Sequence, residues 1–249
     1  MAARWTWRRP CRPGPLPDHP RQPSLLHPAG VDPPAGRLIE RPGLRLRHWP
    51  AWLAPAAAAQ LLAALRAEVP WKQEAIRLYG RQHPLPRLTC WMADPGCGYR
   101  YSGLANAIEP WSPAAAALRD TLEQLSGWRF NSLLLNRYRD GRDAMGWHAD
   151  DEPELDPAAP IASLSLGAAR DFRLRPHRSP RASGLPLPAD YAPGSGACTP
   201  LNLPLGPGDL LLMDAPTQLW WQHAVPRRLK LLNERLNLTF RLVRGGAQG

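Results

Sequence analysis

Residues 235–242 read RLNLTFRL, a run in which polar and apolar residues alternate without a break. Successive side chains of a strand point to opposite faces, so this period of two predicts a β-strand over 236–243 with Arg235 at its head. Arg235, Asn237, Thr239 and Arg241 then share one face, and Leu236, Leu238, Phe240 and Leu242 share the other. Two readings of the polar face stand side by side: the solvated face of a half-buried strand, or the lining of a cavity. Under the second, the two arginines sit roughly 20 Å apart at Cα. Their side chains would fold inward and grip the two ends of a small dicarboxylate, a task that suits the bidentate guanidinium.

The same period recurs upstream. FNSLLLNRY (130–138), IASLSL (161–166), DFRLR (171–175) and DLLLM (209–213) all read as strands. Ahead of Phe130 the spacing is helical. PAAAAQLLAALRAE (55–68) predicts a helix with Leu62 and Leu65 on one face. A second helix is predicted over 113–126, with Ser112 as N-cap, Pro113 at the first helical position, Gly127 as terminator and a stripe of Leu118, Leu122 and Leu125. Two helices followed by many short strands predict an α+β domain built on a β-sandwich or jelly roll.

Residues 1–36 hold nine prolines, five arginines and two acidic residues with no apolar periodicity, which predicts a disordered basic tail. Their Arg-rich, acid-poor composition also fits a transit peptide, but the proline spacing denies the amphipathic helix that such a peptide needs. The folded domain is expected over 37–249. The Pro-rich segment 176–204 is expected to be a long surface loop between strands. The chain of 249 residues carries a formal charge of +10, of which the tail accounts for +3, so the folded part keeps charge available for a polyanion. Cys11, Cys90, Cys97 and Cys198 include no close pair, which argues against a zinc knuckle. The absence of a secretory signal and of a membrane-length apolar run predicts free thiols in the cytoplasm.

The segment WHAD (147–150) supplies an HxD pair. On an extended strand His148 and Asp150 face the same way and can converge on one ion. His223 follows in WWQHAVP, 73 residues after Asp150. Two histidines and one carboxylate on one face form the triad of non-haem iron(II) oxygenases. An HxD pair alone is also what an ordinary core or surface pair looks like. Asn136 and Tyr138 share a face just ahead of it.

NRYRDGRDAMGWHADDE (136–152), PIASLSLGAARDFRLR (160–175), WQHAVP (221–226) and ERLNLTFR (234–241) together resemble the AlkB family of nucleic-acid oxidative demethylases, over roughly residues 65–244. The resemblance implies a double-stranded β-helix (jelly-roll) core with flanking helices, and a dioxygenase that uses iron(II), 2-oxoglutarate and O2. By position, His148, Asp150 and His223 would bind the metal, and Asn136, Tyr138, Arg235, Thr239 and Arg241 would contact 2-oxoglutarate. The stretch 78–103 resembles the nucleotide-recognition lid of the DNA-repair subfamily. There Tyr79 would be an aromatic wedge that fills the gap left by a flipped base, and Arg81 a further substrate contact. Tyr101 would stack on that base opposite His148, Tyr99 would hydrogen-bond near it, and Asp151 and Glu152 would be acidic positions beside it. The implied activity is demethylation of 1-methyladenine and 3-methylcytosine in DNA by a monomer, with release of formaldehyde, succinate and carbon dioxide. Two other readings use the same residues: a 2-oxoglutarate oxygenase of RNA or protein, and a non-catalytic nucleic-acid-binding protein. The 176–204 segment departs from the family pattern in its length and proline content.

Overall fold

The computed structural model describes residues 36–78, 81–97, 100–101, 104–105, 107–178 and 186–244. The expected tail, apart from Gly36, lies outside them. Strands β1 (Arg37–Arg41) and β2 (Leu44–Trp49) precede helix α1 (Pro55–Glu68). Strands β3 (Ala75–Leu78), β4 (Arg81–Pro84), β5 (Leu88–Ala93), β6 (Arg100–Tyr101) and β7 (Leu104–Ala105) lead to helix α2 (Pro113–Ser126). There follow β8 (Ser132–Tyr138), β9 (Met145–His148), β10 (Ile161–Gly167), β11 (Arg170–Pro176), β12 (Leu201–Leu205) and β13 (Leu210–Met213). A short helix, α3 (Pro216–Trp220), runs into β14 (Trp221–Val225), and β15 (Arg235–Arg241) closes the chain.

Seven strands form a major antiparallel sheet in the order β1-β2-β13-β10-β15-β8-β5, and four form a minor sheet in the order β12-β11-β14-β9. Two antiparallel sheets with helices to one side form the expected α+β jelly-roll architecture. The apolar face of β15 packs Leu236, Leu238 and Phe240 with Leu133, Leu135 and Leu164 against Leu65 of α1 and Leu118 and Leu122 of α2. The opposite face is polar, yet Arg235, Thr239 and Arg241 are buried. That selects the cavity-lining reading of the strand.

Both predicted helices form with the expected limits. The Ser112 side chain accepts the Ala115 N–H, and Gly127 ends α2 at φ 72°. Such a cap stabilises a helix by about 1 kcal/mol.

Two expected segments each contain a strand of the main sheets. Within the expected lid, Leu88–Ala93 is a core strand paired with β8, and Cys90, Trp91 and Met92 are buried. The apolar run LTCWMA completes the edge of the major sheet. Within the expected surface loop, Leu201–Leu205 pairs with β11, and Tyr191 and Cys198 are buried. The Tyr191 hydroxyl lies 2.8 Å from the His177 carbonyl and 2.5 Å from that of Trp220, pinning the segment to the body of the fold. The strand predicted over 130–138 begins at Ser132 instead.

Candidate metal centre and co-substrate pocket

The minor sheet brings the two histidines together. His148 on β9 stands directly opposite His223 on β14, with ring centroids 4.1 Å apart. Strand β9 stops at His148, so Asp150 lies beyond the ladder rather than two residues along it. Its amide N–H donates to Gln218 Oε1 at 3.0 Å, and its Oδ2 accepts from Arg241 Nη2 at 2.8 Å and Nε at 3.2 Å. Asp150 Oδ1 has no hydrogen-bond partner and lies 3.7 Å from His148 Nε2. The ligand atoms of His148, Asp150 and His223 all lie within 4.8 Å of one another.

Proton placement suits a cation. The Gly146 carbonyl, 2.9 Å from His148 Nδ1, accepts a hydrogen bond from its N–H, which leaves the Nε2 lone pair facing Asp150. Burial pushes the His223 imidazole down to about 3, with His148 acting the same way, and burial lowers His148 as well. Both rings are therefore neutral at neutral pH. Burial works against the charged carboxylate of Asp150, but Arg241, joined in the acid range by the then-protonated histidines, outweighs it and holds the group well below the usual carboxylate range. Two neutral imidazoles and one carboxylate with an unclaimed oxygen fit a divalent first-row metal.

Beside this triad, β8, β15 and β10 present a polar wall. Arg235 stands opposite Tyr138 and Asn237 opposite Asn136, while Thr239 stands opposite Ser163. Asn237 Nδ2 donates to Ser163 Oγ at 2.8 Å, and Thr239 Oγ1 lies 3.2 Å from Asn237 Oδ1. Arg235 Nη2 donates to Ser165 Oγ at 2.8 Å, and its guanidinium lies 5.4 Å from the Tyr138 ring centroid. Its Nε and Nη1 have no hydrogen-bond partner, and burial pulls its pKa down to about 10. A buried guanidinium with idle donors is a fit for an anionic group, and a 2-oxoglutarate carboxylate is one.

The loops beside the triad are locked to each other. Gly141 exchanges backbone bonds with Arg228 and Leu231, and a Cβ there would lie 1.7 Å from the Arg228 carbonyl, so only glycine fits. Buried Arg170 donates to the carbonyls of Asp140, Asp143 and Pro226 at 3.2, 2.8 and 2.7 Å and sits over Tyr138 at 5.5 Å.

The structure thus brings together His148, Asp150, His223 and Arg241, and along the adjoining wall Asn136, Tyr138, Arg235 and Thr239. Asp151 and Glu152 are half-buried and line a cavity of about 70 Å³ with Asp150, Leu155, Ile161 and Arg241. Arg81 is exposed on the separate β3–β4 hairpin, with no hydrogen bond to the triad among the described residues. Tyr79 and Tyr99 lie outside the described residues, as does the side chain of Tyr101, whose backbone sits in β6 opposite Leu104. Four contributors escaped the sequence reading. Ser163 and Ser165 were legible, because they alternate in IASLSL. Arg87, whose Nε donates to Asn136 Oδ1 at 2.8 Å, and Gln218 left no local signal.

Comparison with known proteins agrees with this geometry. The sequence model of the 2OG-Fe(II) oxygenase superfamily matches residues 45–241. The human protein "DNA oxidative demethylase ALKBH2" is 40% identical over 168 residues, which span 68% of this chain and 60% of the relative. The rat "Alpha-ketoglutarate-dependent dioxygenase alkB homolog 3" is 36% identical over 235 residues, 90% of this chain and 75% of the relative. A solved structure described as "The structure of OsALKBH1" superposes with a TM-score of 0.52 at 18% identity, covering 82% of this chain and 100% of that one, which supports the fold. The chain belongs to the 2OG-Fe(II) oxygenase superfamily and, within it, to the AlkB family of iron(II)- and 2-oxoglutarate-dependent dioxygenases, with His148, Asp150 and His223 as its metal triad.

Proposed function

We propose that this protein oxidatively demethylates N-alkylated bases in DNA, 1-methyladenine and 3-methylcytosine, and releases formaldehyde, succinate and carbon dioxide. The observation that carries the proposal is the metal triad set beside a buried arginine that lacks an anionic partner. The 40% identity to a protein named as a DNA oxidative demethylase supports the choice of substrate. Bound iron would supply the oxidising chemistry, with 2-oxoglutarate as its electron source. The chain's own residues would do the rest. Arg235 and Tyr138 would hold the distal carboxylate, with Asn136, Thr239 and Arg241 as further contacts to 2-oxoglutarate, and Arg241 would also hold Asp150 in place. The target atom is out of reach inside a duplex, so the base must be flipped or single-stranded. Tyr79, Arg81, Tyr99, Tyr101, Asp151 and Glu152 are assigned to its recognition, and the basic folded part to phosphates. We read 37–249 as the dioxygenase domain and 1–36 as an appendage, and the protein as a monomer of the reducing cytoplasm with free Cys90, Cys97 and Cys198. No helix among the described residues is long and apolar enough to cross a membrane.

The test is incubation with iron(II), ascorbate, 2-oxoglutarate and single- or double-stranded oligonucleotides carrying either lesion, read by mass spectrometry for loss of the methyl group. Asp150→Ala should abolish succinate formation while leaving the circular dichroism unchanged. Demethylation of RNA alone, or hydroxylation of peptide alone, would overturn the DNA assignment.

A further inference from the structure

Because β9 ends at His148, the spacing of the HxD pair does not orient the carboxylate. Asp150 is gripped at two points instead. Arg241 takes its Oδ2, and Gln218 Oε1 accepts its main-chain N–H at 3.0 Å. The amide fixes the Cα position and the direction in which the side chain leaves, whereas Arg241 constrains only the far oxygen. Gln218 is 7% exposed and stands on α3, which passes directly into β14, five residues ahead of His223. One side chain therefore ties the segment of Asp150 to the segment of His223, across 68 positions of sequence. Among the described residues the other end of the Gln218 amide meets a soft acceptor, Met213 Sδ at 3.5 Å, so its stronger bond is the one to Asp150.

We infer that Gln218 is a positioning residue for the metal triad, setting the distance between the Asp150 carboxylate and the two imidazoles through an acceptor that the Asp150 amide requires. The inference rests on the reading of His148, Asp150 and His223 as the metal site. Gln218→Met keeps the length and volume of the side chain but removes the acceptor. Gln218→Glu keeps an acceptor at the same reach. Loss of a group that orients a ligand from behind typically costs 10- to 100-fold in metal affinity.

The experiment titrates each full-length protein with Mn(II) in place of iron, in the presence of 2-oxoglutarate, and follows free Mn(II) by electron paramagnetic resonance. Thermal melts in EDTA run in parallel. The expected result is a Kd for Mn(II) about 10- to 100-fold weaker in Gln218→Met and within about threefold of wild type in Gln218→Glu. A lowered melting temperature with wild-type Kd in Gln218→Met would show that the residue only packs the core, and would overturn the inference. Equal weakening in both variants would overturn it too, since the acceptor would not be what matters. Failure of the wild-type protein to bind Mn(II) would overturn the metal site itself, an outcome distinct from either.

Discussion

Replacing Arg235 with methionine should raise the melting temperature of the ligand-free protein while removing its response to 2-oxoglutarate. Arg235 is 1% exposed, donates to the Ser165 hydroxyl beside Tyr138, and forms no ion pair among the described residues. Burial lowers its pKa from 12.5 to about 10. At 1.36 kcal/mol per pH unit, that difference is a penalty on the order of 3 kcal/mol for keeping the cation folded. The sign follows from proton binding. The unfolded chain holds this proton more tightly, so the penalty is complete below about pH 10, fades as the pH rises through the folded value and is gone above the unfolded one. At pH 7.5 all of it is present. Methionine keeps the apolar stem against Tyr138 and drops the charge, although the vacated volume returns part of the gain. For a chain of this size 1 kcal/mol shifts the melting temperature by about 2–4 °C, so a rise on the order of 5 °C is expected. In the wild type the proposed 2-oxoglutarate carboxylate would supply the missing counter-charge. At a ligand concentration of 100 times Kd, binding adds about 2.7 kcal/mol, or roughly 8 °C. A 100-fold loss of affinity in the variant reduces that response to about 1 °C at the same concentration. Scanning fluorimetry with Mn(II), with and without 2-oxoglutarate, reads both quantities. A variant that melts below the wild type without ligand, or that keeps the ligand-dependent shift, would refute the reasoning.

Arg241→Leu should do the opposite to the ligand-free protein. It strips the counter-charge from Asp150, whose side chain is 1% exposed, and breaking a buried pair this way costs about 3–5 kcal/mol. Its melting temperature in EDTA should fall by roughly 10 °C, and Mn(II) should restore a larger share of stability than in the wild type. Asp209→Ala tests the fold away from the site. Asp209 accepts from Ala51 N–H at 2.8 Å and Gly206 N–H at 2.9 Å and lies 3.1 Å from His48 Nε2, so its loss strands those groups at a cost of about 2–4 kcal/mol. Burial opposes its ionisation, but the His48 bond and the two amides prevail and hold it below the usual carboxylate range. Its stabilisation is therefore complete above about pH 4 and is lost as the pH falls through the lower folded value, so the gap between wild-type and variant melting temperatures should narrow as the pH is lowered from about 4.

Local signals predicted local structure. The Ser112–Pro113 start and Gly127 stop give α2 its observed limits, and alternation places β10 and β15 within a residue or two. Strand β9 is four residues long and β14 reads WQHAV, so neither offers enough alternation to distinguish a strand from a loop. Both metal-bearing strands thus escaped the periodicity, although their histidines stood out by residue type. The HxD argument reached the right residues through an incomplete cause. Asp150 converges on the histidines because Gln218 and Arg241 hold it, not because it continues the strand.

The deeper gap is cross-strand information. The polar face of RLNLTFRL admits two readings in one dimension, and no count of residues along the strand chooses between them. Sheet order does. β15 sits between β10 and β8 inside the major sheet, so its backbone is paired on both edges. With α1 and α2 on its leucine face, the polar face must look toward the minor sheet. Once the face is enclosed, two arginines there need anions, because a buried charge without a partner is too costly to keep for packing alone. Asp150 answers for Arg241. Nothing among the described residues answers for Arg235, and its idle Nε and Nη1 are what turn a β-strand pattern into the case for a carboxylate ligand.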